Sequence, residues 1–189
     1  LRQPMAVDLR YIVSALKIAA DLERFGDHAK SIAKRAIAIS QVPRIPAPGL
    51  DRMARGMSEA RVVHLVGLRR AFAVVSNMAY LFDKLGIPAN LHYGAGMLNA
   101  EGTIFPGDVL FAATFAPFSE ETIRLAETIA GRGITVYGLT DTERCPLAEW
   151  ASEVLIARED EVAGFRSLNA SLTLTTTLAV AVRALARPS

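Results

Sequence analysis

The sequence predicts an α/β fold, a doubly wound parallel sheet of five strands flanked by helices, with an α-helical segment ahead of it. Two patterns favour this class. From Arg61 onward, short β-branched runs alternate with stretches of helical periodicity, which is typical of βαβ units. Before that point, residues 4–40 repeat apolar side chains at helical spacing. The composition, 51% hydrophobic and 21% charged, supplies enough apolar surface for a buried core.

The leading segment, residues 4–40, is predicted to form one long helix that is either continuous or broken near Gly26. Pro4 suits the first turn of a helix. Apolar side chains then recur three and four positions apart, first in Leu9, Ile12, Val13, Leu16, Ala19 and Ala20, and then in Phe25, Ala29, Ile32, Ala33, Ala36 and Ile37. A helix of this length, roughly 50 Å, needs partner helices to cover its apolar stripe.

A proline-rich seam follows the predicted helix. Residues 41–49, QVPRIPAPG, hold three prolines and one glycine, which cannot continue a helix and predict a stiff linker. Residues 50–60 have the composition of a short helix. We therefore expect two parts, a helical segment with its linker in residues 1–57 and a sheet domain in residues 61–187.

The sheet is predicted from five short apolar runs. In chain order they are VVHLV, ANLHY, DVLFAAT, ITVYGL and EVLIA. Ligands of open parallel sheets bind beyond the carboxyl ends of the strands, so the loops after these runs form the candidate site. Three such loops would share one rim: Gly67, Arg69 and Arg70 after the first run, Thr114, Ser119, Glu121 and Thr122 after the third, and Thr140 and Asp141 after the fourth.

These rim residues are predicted to bind a small anionic ligand. The glycine permits a tight turn, the helix that follows offers free N–H groups, and guanidinium groups form charge-assisted bonds with phosphate or carboxylate. The alternatives are structural. Either arginine could instead pair with an acid such as Asp141 or Glu120. Ser119 could serve only as a helix cap.

The order of these motifs resembles a SIS (sugar isomerase) domain, and specifically the ligand-binding half of RpiR-type transcriptional regulators. The resemblance covers about residues 61–187, including the closing helix GFRSLNASLTLTTTLAVAVRAL. The family's first loop commonly reads G-x-G-x-S, which here becomes Gly67, Arg69 and Ala71. Its second commonly reads S-x-S-G-x-T-x-E, which here becomes Thr114, Ala116, Pro117, Ser119 and Glu121. The resemblance implies a usually dimeric domain that binds phosphosugars through loop hydroxyls.

The departures from the family's pattern change the expected ligand. Two expected serines are Ala71 and Ala116, and two expected glycines are Arg69 and Pro117. Each lost hydroxyl removes a hydrogen bond that contributes roughly 0.5–1.5 kcal/mol, whereas an arginine adds a charge-assisted one. We therefore expect a phosphosugar or a related acidic sugar.

The sequence favours binding over catalysis. Isomerisation of a sugar needs a general base near its C1 and C2 protons, and Glu101, His92 and Glu121 qualify only by residue type. None of them lies in a motif that commits it to this role. We expect no catalytic residue and no cofactor, and we expect His64, inside the first strand, to be a structural histidine.

The leading segment resembles PhoU, a helical-bundle protein of phosphate signalling, over residues 1 to about 57. The resemblance lies in the run RQPMAVDLRYIVSALKIAADLERFGDHAKSIAKRAIA, and the family's E/D-x-x-x-D metal motif falls on Glu23 and Asp27. These carboxylates are one turn apart on one helical face, and their oxygens suit Mg, Ca, Mn or Fe. The alternative, which the single motif favours, is a solvated acidic face beside Arg24 and Lys30.

The leading prediction is a sensor, the ligand-binding domain of an RpiR-family regulator that binds a phosphosugar or sugar acid without turning it over. A phosphosugar isomerase and a PhoU-like phosphate-signalling adaptor are the alternatives. We expect a homodimer that contacts DNA only through a helix-turn-helix domain absent from this chain. The single cysteine, Cys145, and the lack of a run long enough to span a bilayer predict a cytoplasmic protein without membrane contact.

Overall fold

The computed structural model describes residues 5–41, 47–93 and 100–186. The chain divides into two compact units, Leu1–Ile45 and Pro46–Ser189. Pro4 and residues 42–46 of the predicted linker lie outside the described residues. Among the described helices, none combines the length and the apolar character that a membrane span requires.

The described part of the first unit is a single helix, α1 (Met5–Gln41), which confirms the predicted N-terminal helix. The helix passes through Gly26 without a break. Large apolar side chains along it are exposed: Tyr11 by 73%, Leu22 by 66% and Phe25 by 75%. In the part of the chain that the structure describes, nothing covers these side chains.

The second unit is a five-stranded parallel sheet with helices on both faces. Its strand order is β2-β1-β3-β4-β5, and every neighbouring pair is parallel. The five predicted runs supply these five strands, so the predicted fold class is confirmed. The elements in chain order are α2 (Ala47–Glu59), β1 (Val63–Gly67), α3 (Arg70–Leu85), β2 (Ala89–His92), β3 (Val109–Ala113), α4 (Glu120–Gly131), β4 (Thr135–Thr140), β5 (Glu153–Ile156), β6 (Glu161–Val162), β7 (Phe165–Arg166) and α5 (Asn169–Leu185).

The two central strands form the middle of the core. All five residues of β1 and all five of β3 are buried, as expected for parallel strands that are covered on both faces. Successive side chains point to opposite faces, so Val63 and Leu65 pack with α2, α3 and α5, whereas Val66 packs with α4. The parallel register places Gly67 beside Ala113, which brings the carboxyl ends of β1 and β3 together.

Helix α2 starts inside the predicted linker and packs on the sheet. Pro48 lies in its first turn, where the missing N–H of proline costs no helical hydrogen bond. Met53 and Met57 are buried in the core layer that also contains α3 and α5. The second unit therefore begins at Pro46 and not near residue 60, where the sequence pattern changes, because α2 covers apolar surface of the sheet.

A short hairpin precedes the last helix, in a stretch that the sequence pattern assigned to the helix itself. Strands β6 and β7 pair antiparallel around Ala163 and Gly164. Both turn residues have positive φ, 52° and 80°, as a tight two-residue hairpin turn requires. Helix α5 consequently begins at Asn169 and not at Gly164.

Glu159 ties the base of this hairpin to the start of α5. Its Oε1 accepts a hydrogen bond from the Ser171 N–H at 2.7 Å, and its Oε2 accepts from the Ser167 hydroxyl at 2.9 Å and the Ala170 N–H at 3.2 Å. Burial raises the pKa of Glu159, but these donors outweigh burial and hold the pKa below its usual value. The carboxylate thus caps α5 and fixes the position of the hairpin.

Candidate ligand-binding cleft

An open cleft of about 730 Å³ lies beyond the carboxyl ends of β1 and β3. This is the edge at which open parallel sheets bind their ligands. Three segments line it: the turn from β1 into α3, the loop from β3 into α4, and the β6–β7 hairpin. The lining residues are Leu68, Arg69, Arg70, Ala71, Thr114, Phe115, Ala116, Pro117, Ser119, Glu161, Gly164, Phe165 and Arg166.

The turn from β1 into α3 brings an unusual arginine to the cleft. Gly67 has little room for a side chain, because a Cβ there would lie 3.0 Å from the carbonyl oxygen of Ala71. Arg69 precedes α3 with φ 55° and ψ −125°, and residues other than glycine rarely adopt a positive φ. Its exposed side chain forms no ion pair within residues 5–41, 47–93 and 100–186. Since a positive charge at a helix start is disfavoured unless an anion is close, Arg69 suits an anion in the cleft.

Two other arginines converge on the carboxylate of Asp141. Arg70 Nη2 donates to Asp141 Oδ2 at 3.0 Å, and Arg166 Nη1 lies 3.5 Å from the same oxygen. The Ala116 N–H donates to Asp141 Oδ1 at 3.2 Å. The Arg70 guanidinium also lies over the Phe115 ring, with its Cζ 4.9 Å from the ring centroid. Guanidinium groups from two distant parts of the chain therefore meet at one carboxylate.

The loop from β3 into α4 contributes two buried hydroxyls. Thr114 Oγ1 accepts a hydrogen bond from the Ser119 N–H at 2.9 Å. Ser119 Oγ in turn accepts one from the Thr122 N–H at 3.3 Å, which makes Ser119 the N-cap of α4. Because each hydroxyl oxygen acts as an acceptor in these bonds, its own proton is left for a further acceptor. An anionic ligand oxygen in the cleft would be such an acceptor.

The structure brings five of the predicted rim residues together. Arg69, Arg70, Thr114 and Ser119 line the cleft, and Asp141 binds Arg70 beside it. Two of the structural alternatives are also present, since Arg70 pairs with Asp141 and Ser119 caps a helix. The roles of these residues in ligand binding stay predictions.

The other four predicted rim residues do not line the cleft, which corrects the rim drawn from sequence. Gly67 lies beneath the turn and shapes it, and Glu121 lies in the first turn of α4. Thr122 and Thr140 are fully buried, and their hydroxyls have no hydrogen-bond partner among the described residues. Thr122 faces inward because it shares the buried side of α4, and Thr140 because it ends the covered strand β4.

Sequence reasoning missed the third wall of the cleft. Glu161, Gly164, Phe165 and Arg166 reach it from the β6–β7 hairpin. Arg166 Nε also donates to Glu161 Oε2 at 2.8 Å across the hairpin. The available signal was the Ala163-Gly164 pair between polar residues, which is a turn signal. Strands of two residues are too short to show a period-2 pattern, so the hairpin was not recognised.

The two histidines of the sheet domain lie outside the cleft and contact each other. His64 Nδ1 and His92 Nε2 are 2.7 Å apart, and His64 Nε2 is 3.3 Å from Asp108 Oδ2. Arg61 Nη2 donates to the same Asp108 oxygen at 2.8 Å. Burial lowers the pKa of both histidines. His92 is thus engaged away from the cleft, and Glu101, exposed on a 3₁₀ turn, does not line the cleft either.

The predicted metal ligands are on α1. Glu23 and Asp27 lie one helical turn apart, and both are exposed. Across the described ranges, no group of three or more histidine, cysteine, aspartate or glutamate side chains is arranged to hold a metal ion. Two exposed carboxylates do not by themselves supply the six or more oxygen ligands that Mg or Ca takes. The assignment of a metal to Glu23 and Asp27 stays a prediction.

Comparison with known protein families identifies the sheet domain. The family model named SIS domain matches residues 56–186, well over half of the chain. The chain belongs to the SIS domain family. This confirms the resemblance that the loop motifs carried, and the cleft occupies the ligand edge of an SIS fold.

Solved structures share the fold of this SIS domain. The sugar isomerase domain of an RpiR transcription factor from Sphaerobacter thermophilus has a TM-score of 0.70 at 19% identity, over 76% of this chain and 81% of its own. The Vibrio vulnificus NanR protein complexed with ManNAc-6P gives 0.68 at 24%, over 88% and 66%. E. coli CFT073 c3406, also solved with a bound sugar phosphate, gives 0.66 at 16%, over 88% and 92%. Candidate phosphosugar isomerases share the fold as well. At these identities the likeness establishes the fold alone.

The leading residues match a second family model, the PhoU domain, over residues 1–36, which confirms their resemblance to PhoU. The phosphate-specific transport system accessory protein PhoU homolog of Rhizobium meliloti is 56% identical over 55 residues, 28% of this chain and 23% of its own length. The homolog of Xylella fastidiosa strain 9a5c is 54% identical over 63 residues, 33% and 26%. The chain thus spans about a quarter of the length of these curated relatives.

Proposed function

We propose that the chain carries the ligand-binding domain of an RpiR-family transcriptional regulator, which binds a phosphosugar or a related sugar acid without turning it over. The observation that carries this proposal is the lining of the cleft, where three arginines and two proton-donating hydroxyls meet at the ligand edge of an SIS sheet. The fold neighbour NanR is complexed with ManNAc-6P, and c3406 is complexed with a second sugar phosphate, which supports this ligand class.

The charge of the cleft favours an anionic ligand. Three guanidinium groups, of Arg69, Arg70 and Arg166, stand against two carboxylates, of Asp141 and Glu161, which leaves one net positive charge. Guanidinium groups bind phosphate and carboxylate through directional, often bidentate hydrogen bonds. A sugar that carries either group would therefore neutralise the cleft.

The described part of the cleft offers no assembled acid–base pair. The nearby carboxylates of Asp141 and Glu161 are both engaged by Arg166, and Asp141 is engaged by Arg70 as well. Neither is placed as an uncommitted base for a proton on a sugar carbon. For this reason we propose binding without isomerisation, although candidate isomerases share the fold.

Binding is tested by thermal shift and isothermal titration calorimetry of the full chain with ManNAc-6P, arabinose 5-phosphate, gluconate and inorganic phosphate. We expect at least one sugar anion to stabilise the fold, by about 2.7 kcal/mol at one hundred times its Kd, and uncharged N-acetylmannosamine to have no effect. Arg70→Ala should abolish most of the stabilisation. Arg158→Ala, at an exposed arginine outside the cleft, is the matched control and should retain it. If no anion stabilises the protein, the proposed function is wrong.

Turnover is tested separately by NMR in D₂O with whichever sugar phosphate binds. An isomerase would exchange the protons at C1 or C2 of the sugar with solvent, because its general base removes them. We expect no deuterium incorporation above that in a sample without protein. Incorporation at either carbon would replace the sensor proposal with the isomerase alternative.

We also propose that the regulator is a cytoplasmic homodimer and that the SIS domains meet through α3 and α5. Phe72 and Tyr80 on α3 and Val180 on α5 are exposed apolar side chains, between 37% and 60% accessible. DNA contact would need a helix-turn-helix domain, which the described residues do not include. Light scattering should give a mass near twice 20.4 kDa, and a mass of 20.4 kDa would contradict the dimer.

A PhoU-like adaptor role for residues 1–57 is the second candidate function. It is favoured by the high identity of this segment to PhoU homologues and by the exposed apolar side chains of α1. We propose that this segment acts separately from the SIS domain of residues 61–187. Removal of residues 1–45 should then leave sugar-anion binding unchanged and abolish retention of phosphate-transport components in a pull-down. Equal retention by both versions would exclude the adaptor role.

A further inference from the structure

Asp141 occupies the position of an oxyanion at the edge of the cleft. Its carboxylate accepts hydrogen bonds from Arg70 Nη2 at 3.0 Å and from the Ala116 N–H at 3.2 Å, and Arg166 Nη1 lies 3.5 Å away. Guanidinium and backbone N–H donors of this kind are also those that bind the phosphate or carboxylate of a ligand. The three donors come from α3, the β3–α4 loop and the β6–β7 hairpin, and all three residues line the cleft.

We propose that Arg70 and Arg166 form a paired anion clamp and that Asp141 is its internal counter-ion, which the anionic group of the ligand displaces. This inference rests on the proposed function, because it names the groups that recognise the sugar anion. It gives Arg166, on the hairpin, a role in ligand specificity. It also gives Asp141 a role opposite to that of a ligand contact, since its carboxylate competes with the ligand.

The exposure of the three side chains shows how the exchange proceeds. The Asp141 side chain is 9% exposed, whereas Arg70 is 26% and Arg166 is 42% exposed. A ligand can therefore reach both guanidinium groups from the cleft while Asp141 lies behind them. After the exchange, Asp141 keeps the Ala116 N–H as a partner, and Arg166 keeps Glu161 at 2.8 Å. Displacement thus leaves no group of the cluster without a partner.

The clamp selects for the charge of the ligand. A phosphate monoester carries a charge of about −1.5 to −2 at pH 7 and three acceptor oxygens, so it can bridge both guanidinium groups. A sugar acid brings only the single negative charge that Asp141 already supplies. A phosphosugar therefore displaces Asp141 more readily than a sugar acid does, and the counter-ion makes the cleft selective between these two ligand classes.

The test is isothermal titration of the full chain with inorganic phosphate, ManNAc-6P, arabinose 5-phosphate and gluconate. Asp141→Asn removes the charge and keeps an Oδ1 acceptor for the Ala116 N–H, so the affinity for inorganic phosphate should rise about tenfold, or roughly 1.4 kcal/mol. The affinity for gluconate should rise more, which narrows the preference for phosphate. Arg166→Gln should lower the affinity for phosphate about tenfold. Glu143→Gln and Arg158→Gln break an exposed ion pair outside the cleft and should change neither affinity.

The outcomes separate this inference from the proposed function. Tighter phosphate binding by Asp141→Asn together with weaker binding by Arg166→Gln supports the clamp. Unchanged or weaker phosphate binding by Asp141→Asn overturns the clamp, and the proposed function stands as long as the wild type binds a sugar phosphate. If neither the wild type nor Asp141→Asn binds any of the four anions, both are overturned.

A crystal structure of the wild-type protein with inorganic phosphate gives a readout that does not depend on the folding of a variant. We expect the phosphate to contact both guanidinium groups and the separation of Arg70 Nη2 and Asp141 Oδ2 to lengthen beyond hydrogen-bond distance. A phosphate bound with the 3.0 Å contact intact would overturn the exchange.

Discussion

Arg69 combines a positive φ of 55° with an exposed cationic side chain at the entrance of the cleft. A residue other than glycine in a sparsely populated backbone region costs of order 1–3 kcal/mol. The charge also sits at the start of α3, where the helix dipole disfavours it. Two unfavourable features at a single exposed residue indicate that its charge serves ligand binding more than folding.

Substitution of Arg69 should separate backbone strain from charge. Arg69→Gly relieves the strain, so we expect the free energy of unfolding to rise by about 1 kcal/mol while the affinity for inorganic phosphate falls. Arg69→Ala removes the same charge but keeps a Cβ at positive φ, so it should lose the affinity without the gain in stability. Urea unfolding and calorimetry measure the two quantities. Equal stability of the two variants would show that the φ of Arg69 carries no strain.

The buried histidine pair should make stability depend on pH. Burial lowers the pKa of His64 and His92, and the proximity of His64 lowers that of His92 further. A histidine with a lowered pKa binds fewer protons in the folded state than in the unfolded state, where it titrates near 6.5. Its stabilising effect is therefore complete above that pH and is lost as the pH falls through 6.5 toward the folded-state pKa.

Urea unfolding between pH 7.5 and 5.5 tests this dependence. We expect the free energy of unfolding to fall with pH, and His92→Gln to reduce the slope because one of the two titrating groups is gone. His28→Gln, at an exposed position on α1, is the matched control and should keep the wild-type slope. Stability that is constant or increases toward pH 5.5 would contradict the account.

At the scale of elements, α2 depends on one glycine for its position on the sheet. Gly56 lies against Tyr137 of β4, and a Cβ at position 56 would overlap the Tyr137 hydroxyl. Arg52 of α2 also forms an ion pair with Glu153 of β5. Helix α2 is therefore held against the sheet by close packing and by one lateral pair.

Glycine-to-alanine substitutions in two helices test the docking of α2. Gly56→Ala should lower the free energy of unfolding by about 1–3 kcal/mol, because the added methyl overpacks against Tyr137. Gly131→Ala, in α4, is the control: a Cβ there meets nothing within 4 Å, so the change should be neutral or stabilise by up to about 1 kcal/mol. Gly56→Ala combined with Tyr137→Phe should recover part of the loss. Similar stabilities of the two single variants would refute the close contact.

The elements that the sequence could predict are those with a long enough pattern. Strands β1, β3 and β4 are continuous buried runs of five or six residues, and α1 repeats its apolar residues over many turns, so both classes were recognised. The β6–β7 hairpin has two residues in each strand, and its turn depends on positive φ at Ala163, which the sequence does not reveal. The missing hairpin removed Arg166 from the predicted site.

At the scale of the whole molecule, the sequence located the ligand edge but not the contacts across it. The parallel sheet implied that the loops after β1, β3 and β4 would share a rim, and the cleft lies there. The meeting of Arg70, Asp141 and Arg166 joins residues that are 71 and 25 positions apart, so it depends on tertiary packing and not on any local pattern. Thr122 and Thr140 failed as rim residues for the same reason, since packing turned them inward.

The molecule also joins two families in one chain, and each part has its own experiment. The SIS match covers residues 56–186 and the PhoU match covers residues 1–36. The sugar-anion titrations address the first, and the removal of residues 1–45 addresses the second.

The central claim is that a sugar anion binds at the carboxyl edge of the sheet, among the β1–α3 turn, the β3–α4 loop and the hairpin. Backbone amide NMR of the ¹⁵N-labelled full chain, titrated with the sugar phosphate that binds, tests it most directly. We expect the largest shift changes at Arg69, Ala116 and Arg166. Changes centred instead on the buried pair of His64 and His92, with the cleft amides unmoved, would contradict the account.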